Sequence, residues 1–208
     1  ALPILVLSRV IPELDYDDCE RLTETSLADD LAGITKRWGK AASSSAVQAL
    51  CLFSAKEKTD QLGYFGKKLL DLAKIFYSYL VKIGKSGDYT MKKKTKNHVS
   101  RALSVLGAVC RYCESSSFDS METEDDNNEL DPEELSLFTI APACERVFMK
   151  FYAKDDAMTK VAAIQALAGV FMAHPRQMLD LENNGLITEV MASSSPEAVQ
   201  RESLRCWR

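Results

Sequence analysis

Apolar residues recur along this chain at steps of three and four. The clearest run is Leu62, Phe65, Leu69, Leu72, Phe76, Tyr79 or Leu80, and Ile83. That spacing lays one apolar stripe along about six helical turns. Gly84 and Gly87 follow it, where a helix commonly ends. A further helix is expected from Asp131-Pro132-Glu133-Glu134. Asp131 can cap it, Pro132 suits a first turn, and the two carboxylates oppose the positive end of the helix dipole. Pro142 kinks or splits that helix before it resumes to about Tyr152. No segment alternates with the period of two that a half-buried strand requires, so the chain reads as all-α.

The helices also repeat. Asp156-Ala-Met-Thr-Lys-Val-Ala-Ala-Ile-Gln-Ala-Leu-Ala-Gly-Val170 fits the spacing acid-x-x-V-R-x-x-A-x-x-A-L-x-x-L, with Thr159 and Lys160 in the V-R places. This is the inner-helix pattern of a HEAT repeat. Ala163 and Ala166 are small enough to let a neighbouring helix approach, while Leu167 and Val170 fill a shared core. The frame recurs 40 residues later at Val199-Gln200, with Ser203, Cys206 and Trp207 following. It recurs 60 residues earlier at Val99-Ser100 with Leu103, Leu106 and Gly107, and again at Ala42-Ser43 with Ala46, Ala49, Leu50 and Phe53. HEAT units repeat every 40–47 residues or about that, and an acidic insertion accounts for the longer interval. Outer helices are expected at about 20–37, 61–84, 133–152 and 184–193. The pairs are then about 20–57, 61–113, 133–173 and 184–208, a single HEAT-repeat α-solenoid of about four helix pairs. An ordinary bundle with aligned alanines is the simpler alternative, but four matches, each with a partner helix, favour the solenoid. The chain starts in an apolar run and stops in a patterned one, with no polar cap repeat at either end. The expectation is a block of a longer solenoid.

Composition sharpens this in two ways. With 46% hydrophobic residues among 208, a core is affordable in a cytosolic or nuclear protein, and no run of about 18 apolar residues offers a membrane span. The apolar start, Ala1 to Val10, lacks the basic region and cleavage site of a signal peptide. Six cysteines without a secretory signal read as reduced thiols rather than a disulfide framework. The net charge of −4 conceals a segregation. Lys56 to Arg101 carries 12 Lys+Arg against 4 Asp+Glu, or +8, while Glu114 to Glu134 carries 10 acids and no base, or −10.

No catalytic constellation accompanies these charges. Phosphate loop, nucleophile elbow and paired-histidine metal motifs are all missing, so the reading is non-enzymatic, without cofactor or metal. Cys110-Arg-Tyr-Cys113 has no second pair at zinc-like spacing and reads as helix packing. His174, before Pro175, reads as a helix-end residue, and Phe148, Met149, Phe151 and Tyr152 read as core. The best candidate site is basic. Lys82, Lys85, Lys92, Lys93, Lys94, Lys96 and Arg101 fall at one helix end, in its loop and at the next helix start. On a solenoid edge they would form a ridge that holds nucleic-acid phosphates without reading sequence. The alternative is a solvated loop or a nuclear-import signal at Lys92 to Lys96. The acidic stretch, about 115–130, reads as an unpacked insertion, and Thr123 before Glu124, Asp125 and Asp126 is a candidate phosphorylation site.

Arg101-Ala-Leu-Ser-Val-Leu-Gly-Ala-Val-Cys-Arg-Tyr112, then Asp155-Asp156 onward to Gly169-Val-Phe-Met-Ala-His-Pro-Arg-Gln-Met178, carry a further signal. They resemble the HEAT region of the cohesin loader, the Nipped-B or adherin (sister-chromatid cohesion protein two) family. That family has a similar "R-x-L-x-x-x-G-x-L-C-R" helix and "G-x-x-F-x-x-H-P-x-L-M" helix end. Glu24 to Leu31, Ile34-Thr-Lys-Arg-Trp-Gly39 and Ala46-Val-Gln-Ala-Leu-Cys51 are similar too, whereas the acidic insertion and the Lys92–Lys96 loop depart from the pattern. The resemblance implies a large hook-shaped HEAT solenoid, a nuclear, chromatin-associated scaffold that grips double-stranded DNA and the cohesin ring subunits. It would stimulate the ring's ATPase and work with a smaller loader partner subunit bound elsewhere on the solenoid. A HEAT adaptor that binds only protein, of the transport or phosphatase scaffold type, is the alternative.

Overall fold

The computed structural model describes residues 9–57, 63–85, 93–112, 130–153, 156–176 and 196–206. They are all-helical, with no strand among the described residues. Eight α-helices are described: α1 Tyr16–Thr23, α2 Leu27–Arg37, α3 Lys40–Lys56, α4 Tyr64–Lys85, α5 Lys93–Tyr112, α6 Ile140–Tyr152, α7 Ala157–Ala173 and α8 Glu197–Cys206. Short 3-10 turns occupy Ile11–Glu13 and Pro132–Glu134.

Capping chemistry sets most boundaries. Asp15 accepts from the Asp18 N–H at 2.8 Å and starts α1. Thr23 and Thr25 then turn their hydroxyls onto the Glu20 and Leu22 carbonyls, each at 2.7 Å. These bonds compete with continued helix. The single helix expected over 20–37 is therefore two, α1 and α2. At α4 a carboxylate from outside the helix does the capping: Glu57 accepts from the Phe65 and Gly66 N–H groups at 2.9 and 3.0 Å. The helix expected over 133–152 is also shorter. Asp131 caps only the 3-10 turn, through the Glu133 N–H at 2.9 Å. Ser136 and Thr139 then bond each other's backbone and hydroxyl groups, and α6 starts at Ile140. Pro142 is its third residue, where a missing N–H costs nothing. The outer helix expected at 184–193 lies outside the described residues.

Two layers follow from the neighbour relations. Helices α3, α5, α7 and α8 pack on one another in succession, and α2, α4 and α6 pack in succession beside them. Each of α2, α4 and α6 also packs on the helix that follows it, α3, α5 and α7. The two sets differ in sequence for this reason. The α4 helix buries one stripe, including Phe65, Leu69, Leu72, Phe76 and Leu80. The α7 helix is apolar almost all round, as a helix with neighbours on several sides must be. Its frame residues are buried, as are their counterparts Val99, Leu103 and Leu106 on α5, Ala46, Ala49 and Leu50 on α3, and Val199 and Ser203 on α8.

Helices α5 and α7 touch backbone to backbone. A Cβ added at Gly107 would lie 2.7 Å from the Ala166 Cα, and one at Gly169 would collide with the Gly107 carbonyl. Ala166 thus has the role its size suggested: it and Gly169 both face Gly107. Phe53 of α3 stacks on Phe65 of α4 between the layers, with ring centroids 4.7 Å apart, and Lys68 of α4 pairs with Asp29 of α2 within one layer at 2.6 Å.

Candidate nucleic-acid interface

Contacts along the helices fix which ends share an edge. Arg101 near the start of α5 donates to the Trp38 carbonyl at 3.1 Å, just before α3, and further on Ser104 meets Ser44 at 2.7 Å. Lys96 meets Asp156, the N-cap of α7, and further on Gly107 meets Ala166. The helices α3, α5 and α7 therefore run parallel, and their N-terminal ends form one edge. The outer helices return to the same edge with their C-terminal ends. Asp29 meets Lys68 at the beginning of α2 and α4, and Lys36 near the end of α2 shares a groove with Tyr79.

This edge collects the positive charge. Lys82 and Lys85 are exposed in the last turn of α4, and Lys93 and Lys94 are exposed in the first turn of α5. Lys92, between them, lies outside the described residues, as do Thr123, Cys113 and the acidic stretch from Glu114 to Glu129. Two of the sequence candidates have structural work instead. Lys96 is half-buried and pairs with Asp156 at 2.5 Å. Arg101 is half-buried and holds the α2–α3 turn through the Trp38 carbonyl. In exchange the fold adds Lys36 and Arg37 at the end of α2. In the sequence these two stand only within the family-like segment Ile34-Thr-Lys-Arg-Trp-Gly39. Their signal was the run Lys36-Arg37-Trp38-Gly39 immediately before a helix start.

Asp156 is tied to three donors. It accepts from Lys96 Nζ at 2.5 Å, from the Thr159 N–H at 2.9 Å and from the Thr159 hydroxyl at 2.6 Å. Burial alone would raise its carboxyl, but these donors outweigh it and hold the group below the usual range. A depressed carboxyl stabilises the fold above its unfolded pKa of about 4, and that contribution disappears as pH falls through the folded value. Asp156→Ala should therefore cost about 1–2 kcal/mol at neutral pH, as loss of a cap commonly does. Urea midpoints measured against pH should show the gap between variant and parent closing below about pH 4. An equal gap throughout that range would contradict the assignment.

His98 stands beside Tyr79, with ring centroids 6.5 Å apart, and approaches Arg101 through Nδ1 at 3.4 Å. Desolvation, then the charges of Arg101 and Lys94, lower its pKa, which favours the neutral ring at pH 7. His174 caps the end of α7, its N–H donating to the Val170 carbonyl at 2.8 Å. Cys110 hydrogen-bonds Cys144 of α6, and that bond together with burial pushes its thiol well up, away from nucleophilic chemistry. Cys19, Cys51, Cys110 and Cys144 are buried and outside any disulfide. Among the described residues no group of three His, Cys, Asp or Glu side chains is placed to hold a metal ion. No described helix is long and apolar enough to cross a membrane.

A second concavity, of about 670 Å³, lies between α3, α5, α7 and α8, lined in part by Gln48, Arg111, Gln165, Met172 and Glu202. Polar bonds lace its floor: Lys40 to Gln165 at 2.5 Å, and Gln165 to Glu202 at 2.9 Å. No family model, no curated protein and no solved structure matches the chain.

Proposed function

We propose that the chain is a HEAT-type α-solenoid of the cohesin loader, a nuclear, non-enzymatic scaffold whose basic edge holds duplex DNA beside the cohesin ring. The observation that carries this reading is the edge itself: exposed Lys82, Lys85, Lys93 and Lys94 with Lys36 and Arg37, supplied by three different helices. Cations spread along an edge suit a phosphate backbone, whose neutralisation releases counterions. The HEAT assignment draws support from the buried frame that recurs on α3, α5, α7 and α8 and from their pairing with α2, α4 and α6. In this reading catalysis belongs to the ring's ATPase, which the scaffold stimulates by placing DNA against it. The test is a titration of labelled duplex DNA over a salt series. Binding that falls steeply with salt and depends on Lys93 and Lys94 supports the DNA role. No binding at low salt would leave a scaffold for protein partners alone.

A further inference from the structure

Two grooves open on the same edge, on either side of Arg101. One, of about 450 Å³, is lined by Arg37, Trp38, Lys40, His98, Arg101 and Met158, among others. The other, of about 310 Å³, is lined by Lys36, Ile75, Phe76, Tyr79, His98 and Arg101. They share His98 and Arg101 and so lie side by side, a two-part channel that reaches from α4 across α5 to the turn before α3 and the start of α7. Its apolar side chains are unusually open to solvent: Trp38 is 60% exposed, Ile75 48% and Met158 48%. Its charges have one sign. Among the described residues no Asp or Glu lines either groove, while Lys36, Arg37, Lys40 and Arg101 do. Arg101 is also short of acceptors: its Nε is buried without a hydrogen-bond partner among the described residues. A guanidinium in that state is normally compensated by a carboxylate.

We propose that this channel is a docking site for an acidic peptide segment of a partner protein, with two apolar side chains flanking a carboxylate. One apolar side chain packs on Trp38 and Met158, the other on Ile75 and Tyr79, and the carboxylate between them faces Arg101. Charge complementarity selects the acidic chain, and the exposed apolar anchors select peptide over nucleic acid. A phosphate backbone gains nothing by covering Ile75 and Met158, and grooves of about 450 and 310 Å³ are too small to admit a duplex. Exposed aromatic and arginine side chains in a concave site are the residue types that dominate peptide recognition. The site rests on observations separate from the DNA reading: its anchors are apolar, and of the DNA edge only Lys36 and Arg37 also line it.

The probe is a short fluorescein-labelled peptide rich in Asp and Glu around a Leu-Glu-x-Phe core. Its control has Ser in place of Leu and Phe at unchanged charge. Fluorescence anisotropy with the full chain should show the core peptide binding at least about tenfold more tightly than the control, and Trp38→Ala should weaken it about tenfold. Met158→Ser should weaken it to a lesser degree, and Lys93→Glu/Lys94→Glu should leave the preference for the apolar core in place. Both groove substitutions are at exposed positions, and unchanged circular dichroism and melting verify the fold. Equal binding of core and control peptides, indifference to Trp38→Ala and Met158→Ser, or no peptide binding each overturns the proposal. So does a single-stranded oligonucleotide that depends on Trp38 when the peptide does not, which would assign the groove to bases. No duplex binding by the parent protein at low salt, with peptide binding present, would sink only the DNA reading.

Discussion

Gly169→Ala is expected to lower the melting temperature by roughly 6–12 °C, the consequence of about 3 kcal/mol of overpacking. Helix propensity alone predicts the opposite sign. Alanine in a helix interior is favoured over glycine by about 1 kcal/mol. Propensity loses here because the added Cβ meets backbone rather than a side chain that can rotate away. At Gly169 the obstacle is the Gly107 carbonyl, and at Gly107 it is the Ala166 Cα, at 2.7 Å. Either substitution forces α5 and α7 apart and loosens the small-residue seam between them. Gly33→Ala is the control, since nothing lies within 4 Å of a Cβ at that position in α2. It should leave the melting temperature unchanged or raise it slightly. Thermal unfolding followed by circular dichroism decides the matter. A Gly169→Ala protein as stable as its parent would mean that α5 and α7 do not meet at their backbones.

Reversing Lys93 and Lys94 to Glu is expected to weaken duplex DNA binding roughly 60-fold in 0.1 M salt. Each phosphate contact contributes about a factor of eight there through counterion release. With Lys82, Lys85, Lys93 and Lys94 engaged, the logarithm of affinity should fall against that of salt with a slope of about −3.6, and the variant's slope should be about −1.8. The slope separates lost phosphate contacts from damage to the fold, which would lower affinity without changing its salt dependence. Lys96 is the informative contrast. Its ammonium is already held by Asp156, so Lys96→Ala should reduce stability more than it reduces the salt slope. An unchanged slope for the Lys93/Lys94 variant would exclude these lysines as the DNA contact.

The basic edge was partly legible in the sequence. Seven cations clustered between Lys82 and Arg101 could be counted, and a helical reading placed them around one turn. Which of them remain available could not be read. Lys96 finds Asp156, 60 residues away, and Arg101 finds the Trp38 carbonyl, 63 residues away. Lys36 and Arg37 join the same edge because α2 and α4 run side by side, a relation that lies outside any local window. The channel around Arg101 was not legible at all. Trp38, Ile75 and Met158 come from three helices or turns, and Ile75 alone would pass for an ordinary exposed apolar residue.

Periodicity by itself determined that this chain is helical and which faces of its helices are buried. Both are consequences of a repeat of 3.6 residues acting over a few turns, and the recurring frame on α3, α5, α7 and α8 carries it. Local rules failed where hydroxyls competed for the backbone, splitting α1 from α2 and delaying α6 to Ile140. The tertiary structure alone decided that Gly107 and Gly169 meet, that Lys96 is paired, and that cations and apolar anchors share one channel. Those facts depend on distances between residues far apart in sequence, which are set by how whole helices pack rather than by the composition of any one of them.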